Sequence, residues 1–164
     1  MPKEIRLKKG LDINLVGDAD KVYASVRSNN IVDKFVVRPT DFHALTPRLT
    51  VKIGDKVKAG SPLFIDKSNE KINFCSPVSG EVLDIVRGEK RRILEVVVKS
   101  DSKMTYEDFS SPLSNELTRE QIIDVMLKGG VWPFIRQKPY DIIADPTDTP
   151  KAIFISTFNS APLS

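Results

Sequence analysis

Residues 47–100 constrain the fold of this chain more than any other part of it. Short runs of alternating apolar and polar residues are separated there by Gly, Ser-Asn and Ser-Pro turn signals. Because successive side chains of a strand point to opposite faces, this alternation predicts short antiparallel strands. The predicted strands are Leu49–Ile53, Leu63–Asp66, Lys71–Cys75, Gly80–Val86 and Arg92–Lys99. The last of them keeps no strict period of two, so we expect it to be buried on both faces or interrupted by a bulge.

Two turn segments of this region resemble those of biotinyl- and lipoyl-type domains. They are residues 54–60 (GDKVKAG) and 76–82 (SPVSGEV). The resemblance implies a barrel-sandwich-hybrid module, which we place at residues 31–101. In carrier domains of this kind a hairpin lysine holds the prosthetic arm, but Asn69 occupies the corresponding position, between Lys67 and Lys71. We therefore expect an ordinary hairpin turn without a covalent arm. A lipoyl- or biotin-type carrier domain is the alternative function.

The pattern changes after the module. Residues 102–150 are predicted to be a helical connector. Its helix begins with the capping-box pair Thr118 and Gln121 and ends at Gly129-Gly130. A second short helix is expected at residues 132–136.

The two ends of the chain are predicted to contain strands. Residues 1–30 read as an N-terminal strand segment, with alternating apolar residues around Lys9-Gly10. Residues 151–164 begin with the continuous apolar run Ala152–Ile155, which is typical of a buried parallel strand. Since such a strand needs partners, we expect it to be the first strand of a truncated α/β domain. The predicted fold class is therefore β-rich α+β: the module, a helical segment and the start of an α/β domain.

Composition and motifs exclude most kinds of chemistry on this chain. The net charge is only +3, which argues against a nucleic-acid partner, and the Lys90-Arg91-Arg92 run is read as a solvated hairpin tip. His43 is the only histidine and Cys75 the only cysteine, so neither can belong to a multi-His or multi-Cys metal site. Cys75 lies in an apolar strand and is predicted to be a buried thiol. We predict no catalytic, cofactor-binding or metal-binding residue.

Aromatic residues cluster after the predicted helix. Trp132, Phe134 and Tyr140 could line a ring-binding pocket or form the core packing of a short helix, and the second reading is favoured because aromatic residues dominate ordinary cores. Trp, Phe and Arg are also the residues favoured at interface hot spots. Trp132, Phe134 and Arg136 are therefore the candidate residues for docking to a partner.

An ordered series of motifs runs over nearly the whole chain. The motifs are Arg6–Asp12, Arg38–Thr40, Val51–Gly60, Ser76–Gly80, Gly130–Trp132 with Phe134 and Arg136, and Ala152–Ile155. This series resembles the A subunits of sodium-translocating NADH:quinone oxidoreductases. The same order is similar to the C subunits of Rnf electron-transport complexes and, more distantly, to the flavin-binding subunit of respiratory complex I. The relatives of Rnf type have a glycine-rich flavin segment after the helix, where this chain has the bulky Trp132 and Ile135. A flavin- and NADH-binding role of the Rnf type is thus a second alternative.

The resemblance implies a peripheral subunit on the cytoplasmic face of the bacterial inner membrane. It implies membership of a sodium-pumping respiratory complex that oxidises NADH and reduces ubiquinone, with flavins and iron–sulfur centres on partner subunits. We expect this chain to act mainly in docking, especially to the flavin-bearing membrane subunit, and not to be catalytic by itself. We also expect contact with ubiquinone, but no residue of the sequence can be assigned to that role.

Overall fold

A computed structural model describes residues 32–101, 103–109 and 117–155 of the chain. The strands are β1 (Lys34–Val37), β2 (Pro47–Leu49), β3 (Lys56–Val57), β4 (Pro62–Asp66), β5 (Asn73–Cys75), β6 (Gly80–Arg87), β7 (Ile93–Ser100), β8 (Arg136–Gln137) and β9 (Ile142–Ile143). The α-helix is α1 (Arg119–Lys128), and 3₁₀ turns lie at Pro39–Asp41 and Trp132–Phe134, while Glu89–Arg91 form a tight turn whose backbone is not helical.

Two antiparallel sheets form the module. One has the strand order β1-β7-β6-β3 and the other the order β2-β4-β5, while β8 and β9 form a separate hairpin. The close approach of β6 and β7 depends on Gly80, because a Cβ there would lie 1.7 Å from the backbone oxygen of Lys99. This strand-rich architecture confirms the predicted barrel-sandwich-hybrid fold class.

The two sheets share one hydrophobic core. Its fully buried members include Leu63 and Phe64 of β4, Val82 of β6, and Val96 and Val98 of β7. Four consecutive residues of β4, 63–66, are buried, so both faces of this strand are covered. Leu127 and Trp132, from the segment after the module, belong to the same core cluster.

The irregular apolar pattern of β7 reflects a bulge, as predicted. Val86 pairs with Glu95 and Arg87 pairs with Ile93, so Leu94 is the extra residue. The bulge shifts the alternation by one residue, which allows both Ile93 and Val96 to be buried.

One expectation about the strands was wrong, and one pair of strands was not foreseen. The predicted strand Leu49–Ile53 is displaced, because the strand ends at Leu49 and the chain then turns, with the Asp55 carboxylate accepting a hydrogen bond from the Lys52 N–H at 2.8 Å. The β8–β9 hairpin was not predicted, since two-residue strands leave no periodic signal. The other four predicted strands are confirmed within two residues at each end.

The helical segment begins as the sequence predicts. The Thr118 hydroxyl accepts a hydrogen bond from the Gln121 N–H at 3.3 Å, and the Gln121 side chain accepts one from the Thr118 N–H at 2.9 Å, so both halves of the capping box are formed. Gly130 follows α1 with a φ of 68°, the left-handed conformation that glycine adopts most readily.

Residues 31–149 form one compact unit, and residues 1–30 and 150–164 are assigned to another. Within the second unit, residues 152–155 have no regular secondary structure, and Ile153, Phe154 and Ile155 are exposed. The buried strand predicted to begin at Ala152 is therefore not formed over residues 152–155. Residues 156–164 and the strands predicted at 1–30 lie outside the described residues, and the predictions for them stay predictions. No helix in the described ranges is long and apolar enough to cross a bilayer.

Candidate functional site

The candidate residues meet where the 38–45 segment, the Trp132–Phe134 turn and the β8–β9 hairpin come together. We call this region the aromatic surface and define it by Phe42, His43, Phe134, Arg136 and Asp141. The ring of Phe134 lies 5.9 Å from that of Phe42, in an edge-on arrangement. His43 lies close enough to Asp141 to be the last and smallest of the influences that lower the pKa of that carboxyl.

The 38–45 segment is fixed to the module at both ends. The Arg38 guanidinium forms a 2.9 Å ion pair with Glu95 of β7. Pro39 opens a 3₁₀ turn, for which its fixed φ is suited, and the Phe42 N–H donates to the Pro39 carbonyl at 3.2 Å. The Phe42 ring packs edge-on against buried Phe74 at 4.7 Å. Phe42 therefore connects the core to the exposed ring of Phe134.

The Trp132–Phe134 turn is held against β5 by tight backbone packing. A Cβ on Gly130 would lie 2.6 Å from the Cys75 sulfur, so only glycine permits this approach. The Asn73 side-chain amide donates to the Leu127 carbonyl at 3.3 Å, beside the same contact. The end of α1 is thus positioned on the module by the sequence Gly129-Gly130.

Trp132 does not fit the expectation of an exposed docking residue. Its side chain is only 7% exposed, and its indole N–H donates to the Ala144 carbonyl at 2.7 Å. A large apolar ring with one satisfied donor is stable in a core, and here the core is that of residues 31–149. Trp132 therefore positions the turn and offers almost no surface to a partner.

Phe134 and Arg136 lie differently. Phe134 is 70% exposed although it is a large aromatic residue. Arg136 is half-buried, and its guanidinium donates to the Asp141 carbonyl at 3.1 Å and lies 3.6 Å from the Asp141 carboxylate. Arg136 thus braces the β8–β9 hairpin, and of the three predicted docking residues Phe134 is the one that presents its side chain to solvent.

Asp141 forms ion pairs with two basic residues of the hairpin, Lys138 and Arg136. Its carboxylate accepts a hydrogen bond from the Lys138 ammonium at 2.7 Å. That hydrogen bond and the charge of Lys138, with a smaller contribution from Arg136, hold the pKa of Asp141 below its ordinary value. The hairpin therefore stays internally ion-paired at neutral pH.

Two small cavities adjoin the aromatic surface, and His43 lines both. The first, of about 210 Å³, has Phe42, Leu45 and Ile93 among its apolar lining residues and His43 and Arg92 among its polar ones, and most of its exposed lining surface is polar. The second, of about 130 Å³, lies between the 43–45 segment and the hairpin, with Asp66, Ser68, Ile142 and Ile143 in its wall. Both are smaller than the 300–1,000 Å³ typical of sites for drug-sized ligands. The sequence drew attention to His43 only as a metal ligand, and no sequence signal indicated these cavities.

The remaining candidates show no reactive arrangement. Burial raises the pKa of the Cys75 thiol to about 11, which makes it a poor nucleophile. Lys67 and Lys71 flank a turn in which the Asn69 side chain accepts a hydrogen bond from the Lys71 N–H at 3.3 Å. In the parts of the chain that the structure covers, no three His, Cys, Asp or Glu residues are grouped so as to hold a metal ion. This surface can therefore bind a partner through the exposed ring of Phe134, and a small cavity with a mostly polar wall adjoins it.

Comparison with known proteins identifies similar sequences along the whole chain. Residues 5–101 match the family model described as the NqrA N-terminal barrel-sandwich hybrid domain, and residues 117–164 match the NqrA second alpha/beta domain. The second match begins at the segment that contains α1.

The curated relatives share one name, that of the A subunit of Na(+)-translocating NADH-quinone reductase. The chain is 32% identical over 160 residues to the protein of Marinomonas sp. (strain MWYL1), covering 96% of this chain and 35% of that protein. It is 31% identical over 161 residues to the protein of Pseudomonas aeruginosa (strain UCBPP-PA14), covering 97% and 36%, respectively. It is 32% identical over 161 residues to the protein of Vibrio vulnificus (strain YJ016), covering 97% and 35%. The chain thus spans little more than a third of the length of these relatives.

Proposed function

Because this chain belongs to the family of Na(+)-translocating NADH-quinone reductase A subunits, we propose that it is a docking component of such a complex. In this proposal the complex oxidises NADH, reduces ubiquinone and pumps sodium ions. The chain lies peripherally on the cytoplasmic face of the bacterial inner membrane and carries no cofactor. The flavins and iron–sulfur centres belong to partner subunits, and the main partner is the membrane subunit that bears flavin.

The observation that carries the docking role is the position of Phe134. The ring is exposed, it lies 5.9 Å from the Phe42 ring, and it belongs to the same 3₁₀ turn as the buried Trp132. A rigid, exposed aromatic ring loses little conformational entropy on binding, and such rings are common interface hot spots. The ion-paired β8–β9 hairpin next to it supplies a polar rim.

The test is Phe134→Ala in the subunit expressed with the rest of the complex. If the ring is a hot spot worth about 2 kcal/mol, binding to the partner subunits should weaken about 30-fold or more in a pull-down titration. Thermal unfolding should change little, because the ring is mostly in solvent. Tyr106→Ala is the matched control, since Tyr106 is also 70% exposed but lies in the 103–109 segment. Equal effects of the two variants on assembly would contradict the proposal.

A second candidate function, contact with the ubiquinone head group, is favoured by the larger cavity. Phe42, Leu45 and Ile93 in its wall can contact a ring, and the His43 imidazole and the Arg92 guanidinium can donate hydrogen bonds to carbonyl oxygens. The volume of about 210 Å³ limits the occupant to the head group.

We test this role with His43→Ala in the assembled complex. The KM for a short-chain ubiquinone should rise, while NADH oxidation with an artificial electron acceptor stays unchanged. His43→Gln, which keeps a donor, should recover part of the loss. An unchanged KM in both variants would refute the contact.

A further inference from the structure

A dense group of basic residues lies at one turn of the module. Four basic residues, Arg87, Lys90, Arg91 and Arg92, lie within six positions at the β6–β7 turn, and Glu89 is the single carboxylate among them. We call residues 87–92 the basic turn. With four positive charges and one negative charge, its net charge is +3.

The four cations are available to a partner. All four side chains are exposed. Within the described ranges none of them forms an ion pair with a carboxylate. The Arg87 guanidinium donates to the Arg91 carbonyl at 3.3 Å, which holds two of the cations on one turn.

The backbone of the basic turn is unfavourable for the residues it contains. Lys90 and Arg91 have φ values of 53° and 61°, and the Arg92 N–H donates to the Glu89 carbonyl at 3.1 Å. Two central residues with positive φ are the mark of a type I′ turn, where Asn-Gly is strongly preferred. Side chains with a Cβ are disfavoured in this conformation. Asn and Gly would be more stable than Lys90 and Arg91 at these two positions, so the presence of two cations there indicates a function for their charge.

We propose that the basic turn binds anionic phospholipid headgroups. This rests on the proposed function, because a peripheral subunit of a membrane complex has the anionic leaflet beside it. Exposed Lys and Arg residues are attracted to such a surface, and each contributes roughly five-fold to binding. A hairpin tip presents a convex cluster of charges, which suits a flat surface of mobile headgroups. Aromatic residues that would stack on the bases of a nucleic acid are absent from residues 87–92.

The experiment measures co-sedimentation of the chain with vesicles. One set contains phosphatidylcholine only and the other contains phosphatidylcholine with 30% phosphatidylglycerol. The test variant is K90N/R91G, which removes two cations and installs the sequence preferred in a type I′ turn, so that it should fold at least as stably as the parent. The control variant is K67N/K71N, which makes the same change in net charge at the exposed β4–β5 hairpin.

The parent chain should bind the anionic vesicles and lose binding as salt is raised, because the attraction between exposed charges is screened. K90N/R91G should bind about 25-fold more weakly, and K67N/K71N should bind nearly as the parent does. Failure of the parent to bind, or an equal loss in the two variants, would overturn the proposal. Unchanged vesicle binding by K90N/R91G, with loss of assembly in the complex, would assign the turn to an acidic protein instead. Since the vesicle assay uses the chain alone, it can succeed or fail independently of the Phe134 test of docking.

Discussion

Replacing Gly130 by alanine should separate the end of α1 from β5. Two costs add at this position. The φ of 68° is left-handed, which costs an L-residue with a Cβ about 1–2 kcal/mol. The new Cβ would also lie 2.6 Å from the Cys75 sulfur and 2.9 Å from the Cys75 Cβ, and overpacking of this kind typically costs about 1–3 kcal/mol. We therefore expect Gly130→Ala to lower the free energy of unfolding by about 2–5 kcal/mol.

A second glycine separates these two costs. Gly54 also has a positive φ, of 90°, but a Cβ there would meet no atom within 4 Å. Gly54→Ala should therefore show the conformational cost alone, and the difference between the two variants measures the contact with Cys75. The assay is urea unfolding of both variants and the parent, with the slope on denaturant compared to detect changes in the denatured state. If Gly130→Ala is no more destabilising than Gly54→Ala, the tight packing of this glycine on β5 is not what holds the helical segment in place.

Three further predictions concern the same region of the unit. Trp132→Phe removes the hydrogen bond to the Ala144 carbonyl and should lower the free energy of unfolding by about 1–3 kcal/mol, as measured by urea unfolding; no change would mean that the indole N–H is dispensable. Burial raises the pKa of Cys75 from 9.0 to about 11, so between these pH values the folded state keeps a proton that the unfolded state loses. The free energy of unfolding should therefore fall as the pH rises from 9 to 11. Cys75→Ala should flatten this alkaline part of a stability–pH profile, and an unaltered profile would refute the prediction. The pKa of Asp141 is lowered in the folded state, so its ion pairs stabilise the protein above the unfolded-state pKa and stop doing so as the pH falls through the folded-state pKa. Asp141→Asn should therefore make the melting temperature less sensitive to acid. Asp124→Asn, which removes an ordinary i,i+4 helix pair, is the control and should have a smaller effect.

The module could be predicted because its signals are local and repeated. Alternation located β4, β5, β6 and β7, and the break in the pattern of β7 correctly indicated a bulge. The capping box at Thr118 and Gln121 placed the start of α1, since side-chain caps depend on residues only three positions apart. Each of these features depends on residues only a few positions apart, and sequence patterns are most informative over such short distances.

The candidate site was only partly predictable because it depends on long-range packing. The sequence indicated Trp132, Phe134 and Arg136 as a group, but it could not separate a buried indole from an exposed phenyl ring two positions away. That difference depends on how the turn packs on the module, and the contact of Gly130 with Cys75 joins residues that are far apart in the sequence. The two cavities next to His43 also combine segments about 50 and about 100 residues apart, respectively, so no local pattern predicts them.

The packing of the helical segment explains how a carrier-like module can serve as a docking component. In the β4–β5 hairpin Asn69 supports the turn with its own side chain, so the tip is stable without a lysine at that position. The same pair of strands instead holds the helical segment, through Asn73 and Cys75 of β5. That contact fixes the turn from which Phe134 projects toward solvent. A rigid edge of the sheet thus positions a binding residue, and the proposed role in assembly follows from the surface the fold presents and needs no prosthetic arm.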